Sequence, residues 1–235
     1  MKIAIDGPAG AGKSTIARLV AKKLGYTYLD TGAMYRALTY TAIQRGVSPS
    51  NASALVDVVF RMGLQITYDR ENGGNRIFVA GEDITEEIRE PQVSEYVSEV
   101  SSHAEVRKVI VDLQKRMAEQ GKVVMDGRDI GTVVMPEADW KFFLHASVKE
   151  RARRRQLELS ENGHEVDLQD LERQIQRRDL MDSTRAVSPL RKAEDAIDID
   201  TTHMTIDEVV NLVLHYVQGG KSGVQNTKNH PQRSN

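Results

Sequence analysis

The chain contains no cysteine among its 235 residues. A disulfide framework and thiolate chemistry are thereby excluded, and a cytoplasmic site fits. Long apolar runs are missing too. Nothing approaches the roughly 20 residues that a membrane-spanning helix requires, so no membrane partner is expected. Neither charge sign dominates: 32 Lys and Arg face 34 Asp and Glu, for a formal net charge of −2. No global field draws the protein to nucleic acid, and none is expected as a partner. The 6 histidines are scattered, without the spacing of metal ligands. No internal repeat is visible, and with the first strand pattern beginning at Lys2 no leader peptide is expected. What remains is ordinary globular composition, 40% hydrophobic and 28% charged, in a length that suits one α/β domain with insertions.

Against that plain background one motif is complete. Gly7-Pro8-Ala9-Gly10-Ala11-Gly12-Lys13-Ser14 has the spacing of a phosphate-binding loop, with Thr15 directly after it. It follows the apolar Ile3, Ala4 and Ile5 and precedes a helical stripe of Ile16, Leu19, Val20 and Leu24. A strand, a glycine turn and a helix N-terminus are the context the motif needs. The glycines permit positive φ and bring backbone N–H groups close to phosphate oxygens, where the helix dipole adds positive charge. Lys13 can reach the β- and γ-phosphates, and the Ser14 hydroxyl can bind Mg²⁺. The motif predicts binding of a nucleoside triphosphate.

Five segments read as strands of a buried parallel sheet: residues 2–6, 27–30, 122–126, 141–145 and 196–200. Helical patterns separate them, as βαβ crossovers demand. Leu55, Val58, Val59 and Met62 form one apolar stripe, and Val106, Val109, Ile110, Leu113 and Met117 another. Ser147 with Glu150, and Thr205 with Glu208, have capping-box spacing at two helix starts. Between the second and third core strands the alternation breaks. Leu64, Ile66 and Tyr68 alternate, Asn72-Gly73-Gly74-Asn75 offers a turn, and Ile77 and Val79 alternate again, which predicts a β-hairpin on an inserted lobe. Such an insertion suits a second substrate. The polar, arginine-rich stretch from residue 150 to 168 has the composition of a mobile lid. From Gly219 onward the chain is polar and aperiodic, and a disordered tail over 219–235 is expected.

The remaining signals are charges placed near the carboxyl edge of the sheet, where ligands of open α/β sheets bind. Asp126 ends a strand, where such folds hold Mg²⁺ directly or through water, and Gly127-Arg128-Asp129 follows it. Arg151, Arg153, Arg154 and Arg155 form a second basic group, and Arg177, Arg178 and Arg185 a third. Guanidinium forks suit phosphate oxygens and stabilise charge in phosphoryl transfer, although many such arginines merely pair with glutamates on a solvated helix face. Arg178 and Arg185 flank Asp182 near one helix end, which favours a shared role. On these residues alone, another small-molecule kinase on the same core, including one for shikimate, stays open. A GTPase-like switch would need a guanine-reading [NT]-K-x-D motif, and the chain has none. A nucleic-acid ATPase sits poorly with the net charge of −2.

Several motifs together are more specific. IDGPAGAGKST (residues 5–15), LDTGAMYRA (29–37), GEDIT with EIR (81–89), DGRDIGTVV (126–134) and RDLMDSTRAVSPL (178–190) closely resemble those of bacterial-type cytidylate kinases. The resemblance runs from Lys2 to about Val217. It implies an α/β fold, a P-loop three-layer architecture with a five-stranded parallel sheet, an inserted monophosphate-binding lobe containing the hairpin, and a small lid. The core would comprise residues 1–32, 104–149 and 169–218, the monophosphate-binding insertion 33–103 and the lid 150–168. The implied reaction moves the γ-phosphate of ATP to CMP or dCMP with Mg²⁺; since the sequence carries no oligomerisation signal, a monomer is expected.

The resemblance also implies residue roles. Gly7 through Thr15 wrap the ATP phosphates, with Lys13 catalytic and Ser14 and Asp126 at the metal. Ser98, Arg107 and Asp129 read the cytosine edge, and Thr31 and Tyr35 line the acceptor site. Arg36, Arg128 and Arg185 hold the CMP phosphate and the phosphoryl group in flight. Arg178 and Asp182 contact the sugar, and Arg151, Arg153, Arg154 and Arg155 belong to the lid.

Overall fold

Ile3, Ala4 and Ile5 are completely buried because β1 (Lys2–Asp6) runs through the centre of a parallel sheet covered on both faces. The computed structural model describes residues 1–69, 71, 73–119, 121–161, 163 and 165–219. The sheet has the order β2-β6-β1-β7-β8, built with β2 (Thr27–Asp30), β6 (Val123–Gly127), β7 (Trp140–His145) and β8 (Ile197–Asp200). Asp6 lies beside Gly127, and Asp30 beside Asp126, so three strands bring carboxylates to one edge. All five expected strands are present, with ends shifted by at most a residue.

Side-chain alternation sorts the two faces. Ile3, Ile5, Val124, Phe142 and Leu144 pack with Ile16 and Val20 of α1 (Lys13–Leu24) and with Val210 and Val213 of α8 (Ile206–Gly219). Ala4, Leu29 and Met125 face the other way, toward Val111 and Ala118 of α5 (Ala104–Ala118). Each large aliphatic side chain removed from water in these layers contributes about 1.5–3 kcal/mol. Both caps at α8 are made: the Glu208 N–H donates to Thr205 Oγ1 at 3.3 Å, and the Thr205 N–H donates to Glu208 Oε2 at 2.8 Å. The box at Ser147 is one-sided. The Glu150 N–H donates to Ser147 Oγ at 3.2 Å, but the Glu150 carboxylate turns to Arg153 and Arg154 instead.

The insertion begins with α2 (Thr31–Gln44), whose N-cap Asp30 accepts the Ala33 N–H at 3.0 Å. It continues through α3 (Ala52–Arg61), β3 (Gln65–Asp69), β4 (Gly74–Val79), β5 (Glu82–Asp83), a 3₁₀ turn (Glu87–Arg89) and α4 (Pro91–Val100). The expected hairpin is there as β3 and β4, and the short β5 makes it a three-stranded antiparallel sheet. Asn72 of the expected turn lies outside the described residues. The hairpin reaches back to the core through Asn75: its Oδ1 accepts the Asp30 N–H at 2.7 Å and its Nδ2 donates to Tyr28 O at 2.8 Å.

After β7 the chain forms α6 (Val148–Glu161) and α7 (Leu168–Thr184), packed through Ala152, Leu171 and Ile175. Much of the stretch expected as a lid is therefore helix, while Asn162 and His164 lie outside the described residues. Gly219 closes α8 rather than opening the tail, and residues 220–235 lie outside the described residues. Among the described residues no helix is long and apolar enough to cross a membrane.

Candidate active site

The loop after β1 is shaped by close approach. A Cβ on Gly7, whose φ is +148°, would fall 1.9 Å from Leu144 O, so only glycine fits. Gly12, with φ +83°, delivers the chain into α1 at Lys13. The Lys13 ammonium is buried and donates to Pro8 O at 2.7 Å. Burial, reinforced by the nearby Arg128 cation, pulls its pKa down to about 7. A cation held out of water in this way gains most when an anion joins it.

Asp126 stands opposite. Its Oδ2 accepts from Ser14 Oγ at 2.7 Å and its Oδ1 from Tyr28 OH at 2.8 Å, while Thr31 Oγ1 donates to Asp126 O at 2.6 Å. Burial, with Asp30 adjacent, pushes the Asp126 carboxyl up to about 7. A hydroxyl and a carboxylate side by side are hard oxygen donors. Among the described residues no group of three or more His, Cys, Asp or Glu could hold a metal ion. That sparse donor set fits Mg²⁺, which keeps several waters and is bound through one or two carboxylates plus substrate phosphates rather than in a protein cage.

Beyond Asp126 lies a buried ionic cluster. Arg107 Nη2 meets Asp129 Oδ2 at 2.6 Å, Arg107 Nη1 donates to Ser101 O at 3.2 Å, and the guanidinium sits 5.3 Å from the centre of the Tyr35 ring. Arg185 bridges Asp129 at 3.7 Å and Asp182 at 3.8 Å, and its Nε donates to Ser188 O at 2.6 Å. Arg128 Nε donates to Asp182 Oδ2 at 2.8 Å. Burial alone would raise the Asp182 carboxyl, but Arg128, Arg178 and Arg185 hold it below its ordinary value. Burial, then the neighbouring Arg128, lowers Arg178 to about 9. Arg107 Nε, Arg178 Nε and Arg185 Nη2 are buried and find no hydrogen-bond partner among the described residues. Such orphaned donors mark where a ligand's oxygens would go.

The other expected site residues divide. Arg36 Nη1 donates to Ser94 Oγ at 2.9 Å, and its pKa is lowered first by burial, with the like charges of Arg155, Arg89 and Arg128 adding to it. Ser98 lies half-buried on α4, where its carbonyl accepts from Ser101 Oγ at 3.2 Å. The four arginines from 151 to 155 diverge. Arg153 is exposed and paired with Glu150, Arg154 Nη2 donates to Thr201 O at 2.6 Å, and Arg155 pairs with Glu158 at 2.8 Å while adding positive field at Arg36 and Arg178. Arg151 is buried behind the phosphate loop.

Two residues that brace the expected site residues escaped the sequence reading. Tyr28 pins Asp126, and Asp6 accepts the N–H groups of Ile130 at 2.8 Å and Gly131 at 2.7 Å, tying β1 to the loop that carries Arg128 and Asp129. A carboxylate closing the fully apolar Ile3-Ala4-Ile5 run was the available signal for Asp6.

A glycine loop on a helix N-terminus, a buried lysine beside a strand-end carboxylate, and convergent arginines with open donors define a P-loop phosphotransferase. The family model described as Cytidylate kinase matches residues 3–219. Relatives called cytidylate kinase include one from Carboxydothermus hydrogenoformans, 51% identical over 95% of this chain and 100% of the relative. Another, from Bacillus licheniformis, is 50% identical over 92% of this chain and 95% of its own, and one from Desulforamulus reducens is 52% identical over 93% and 97%. The chain belongs to the cytidylate kinase family.

Proposed function

We propose that the protein moves the γ-phosphoryl group of ATP to CMP or dCMP, giving ADP and CDP or dCDP. The observation that carries the reading beyond its family is the buried Arg107–Asp129 pair, which offers a donor and an acceptor to one edge of a pyrimidine next to arginines with open donors. Ser98 completes the base-reading set, and Thr31 and Tyr35 line the acceptor site. A base with the wrong edge would leave these buried groups unpaired, which is how polar sites discriminate.

The acceptor is a phosphate oxygen, anionic at neutral pH, so no strong general base is required. The protein's own work is alignment and charge neutralisation. Residues 7–15 wrap the ATP phosphates, with backbone N–H groups donated by all but Pro8, and Lys13 follows the transferring group. Arg36, Arg128 and Arg185 clamp the acceptor phosphate and the group in flight, while Arg178 and Asp182 take the sugar side. Ser14 and Asp126 would hold Mg²⁺, which neutralises charge on the β- and γ-oxygens when bound. Arg153, Arg154 and Arg155, on α6 within the lid of residues 150–168, would shield the donor phosphates from water. We place the enzyme in the cytoplasm, with its ATP and CMP pools, as a monomer that contacts neither nucleic acid nor membrane.

A coupled ADP-release assay with each monophosphate in turn tests the reading. CMP and dCMP should drive turnover and AMP should not. Turnover with AMP or shikimate and none with CMP would replace it.

A further inference from the structure

Arg151 has the sequence context of a lid residue and none of its surroundings. Its side chain is 4% exposed, and its donors point inward to three places at once. Nε donates to Ala146 O at 2.9 Å, at the point where β7 gives way to α6. Nη1 donates to Ala9 O at 3.0 Å, in the middle of the phosphate loop. Nη1 and Nη2 also reach Asp179 Oδ1 and Oδ2 at 3.1 and 2.6 Å, a two-toothed pair with α7. The loop rests on the stem of the same side chain: a Cβ on Gly10 would stand 3.2 Å from the Arg151 Cβ.

We infer that Arg151 is a positioning residue for phosphoryl-donor binding, clamping the Ala9 carbonyl outward so that the N–H groups of the loop face the phosphates. The argument is geometric. A glycine-rich loop has many accessible shapes, and only those with its N–H groups converging can cradle an anion. A peptide whose oxygen is tied to a buried guanidinium cannot flip, and its conformational freedom is removed before ATP arrives. Asp179 makes the clamp rigid. It fixes the guanidinium plane with a two-toothed contact, and it belongs to the same turn of α7 as Arg178 and Asp182. Lysine cannot substitute, because one ammonium cannot span Ala146, Ala9 and Asp179 with fixed directions.

The inference rests on the proposal that the loop binds ATP, and the test separates the two. A non-hydrolysable ATP analogue and CMP are titrated separately into wild type, Arg151→Lys and Asp179→Asn by calorimetry, with thermal melts alongside. Wild type must bind the analogue; if it does not, the ATP reading itself fails. Given that binding, Arg151→Lys should weaken the analogue about 10-fold or more, and Asp179→Asn should do so less, in the same direction, since each loses charge-assisted hydrogen bonds worth a factor of this size. For Arg151→Lys, CMP affinity should stay within about twofold, because Arg151 contacts none of the residues assigned to CMP, whereas Asp179 adjoins Arg178 on α7 and its variant is read through the analogue alone. In turnover of Arg151→Lys the ATP KM should rise while the CMP KM holds. Unchanged analogue affinity in either folded variant overturns the inference. So does a parallel fall in analogue and CMP affinity of Arg151→Lys that tracks melting temperature, and so does failure of both variants to fold, since each makes the clamp general scaffold.

Discussion

Asp6 holds Gly131 across two loops at one edge of the sheet: Asp6 Oδ2 accepts the Gly131 N–H at 2.7 Å, and Oδ1 takes the neighbouring Ile130 N–H. Gly131 has no side chain to keep the carboxylate away, and a Cβ there would stand 3.3 Å from that oxygen. The ATP loop and the Arg128–Asp129 loop therefore share one anchor, at the end of a strand that is otherwise all core.

Asp6→Asn should destabilise the protein by about 1–3 kcal/mol, since the amide nitrogen would face an N–H and leave a buried donor unsatisfied. Burial pushes the Asp6 carboxyl up to about 6 against the pull of the two N–H groups. A folded-state pKa above the unfolded one means that this group's contribution is fully present below the unfolded value and is lost as pH rises through the folded value. Wild type should thus gain stability relative to Asp6→Asn as pH falls through about 6. Chemical denaturation at several pH values, with a carbon-detected carboxyl titration, checks both points. A midpoint at the usual aspartate value with a pH-independent difference would refute this account of Asp6.

Lys13→Ala should cut kcat by about two to three orders of magnitude or more while the protein stays folded, because the ammonium supplies charge to the transferring group. Among the described residues its one hydrogen bond, to Pro8 O, is within the loop itself. Rapid-quench or coupled kinetics with a circular-dichroism melt decides it. Near-normal turnover in a folded variant would remove the kinase reading.

Asp129→Asn should act on the monophosphate, raising the CMP KM or lowering kcat/KM by about 1–3 kcal/mol, with ATP affinity unchanged. It is a cleaner probe than Arg107→Ala, which strands a buried carboxylate and should cost about 3–5 kcal/mol of stability in addition. Steady-state kinetics with each substrate varied in turn gives the split. A loss confined to ATP would mean that the pair does not read the base.

Arg128→Lys and Arg185→Lys should each lower kcat even though charge is kept. Arg128 is oriented through its Nε to Asp182 and Arg185 through its Nε to Ser188 O, which leaves each fork a defined direction that a lysine cannot reproduce. Were these surface pairs, the change would be nearly neutral in rate and worth at most about 1 kcal/mol in stability. Unchanged kcat in both variants would reduce them to scaffold.

Local patterns carried the architecture. The apolar runs at residues 3–5 and 123–125 are buried on both sides and could hardly be anything but central strands, and the glycine spacing dictated the loop between β1 and α1. The hairpin was readable because Leu64, Ile66 and Tyr68 alternate with polar neighbours and a glycine turn separates them from the apolar Ile77 and Val79. Its third strand was not, since Glu82 and Asp83 are two exposed acids without periodicity, held only by pairing with β4. Charge was the least readable feature. Arg151 and Arg153 sit two residues apart in one helix with the same chemistry, yet one is buried behind the phosphate loop and the other is solvated. Only the packing of α6 on α7 separates them. Asp6 and Asn75 act through backbone groups remote in sequence, and although the apolar run before Asp6 marks it as unusual, no local pattern names those partners.

Asn75 has a consequence for the sheet as a whole. β2 is an outermost strand, and an uncovered strand edge is a template on which another chain can pair. The Asn75 amide accepts from one peptide of that edge and donates to another, as an added strand would, and the hairpin behind it blocks lateral approach. The inserted segment is thus the guard of the core's open flank. A minimal version of this enzyme stripped of the inserted segment would inherit a sticky border, so the solubility of the core is lodged in a part of the chain outside it.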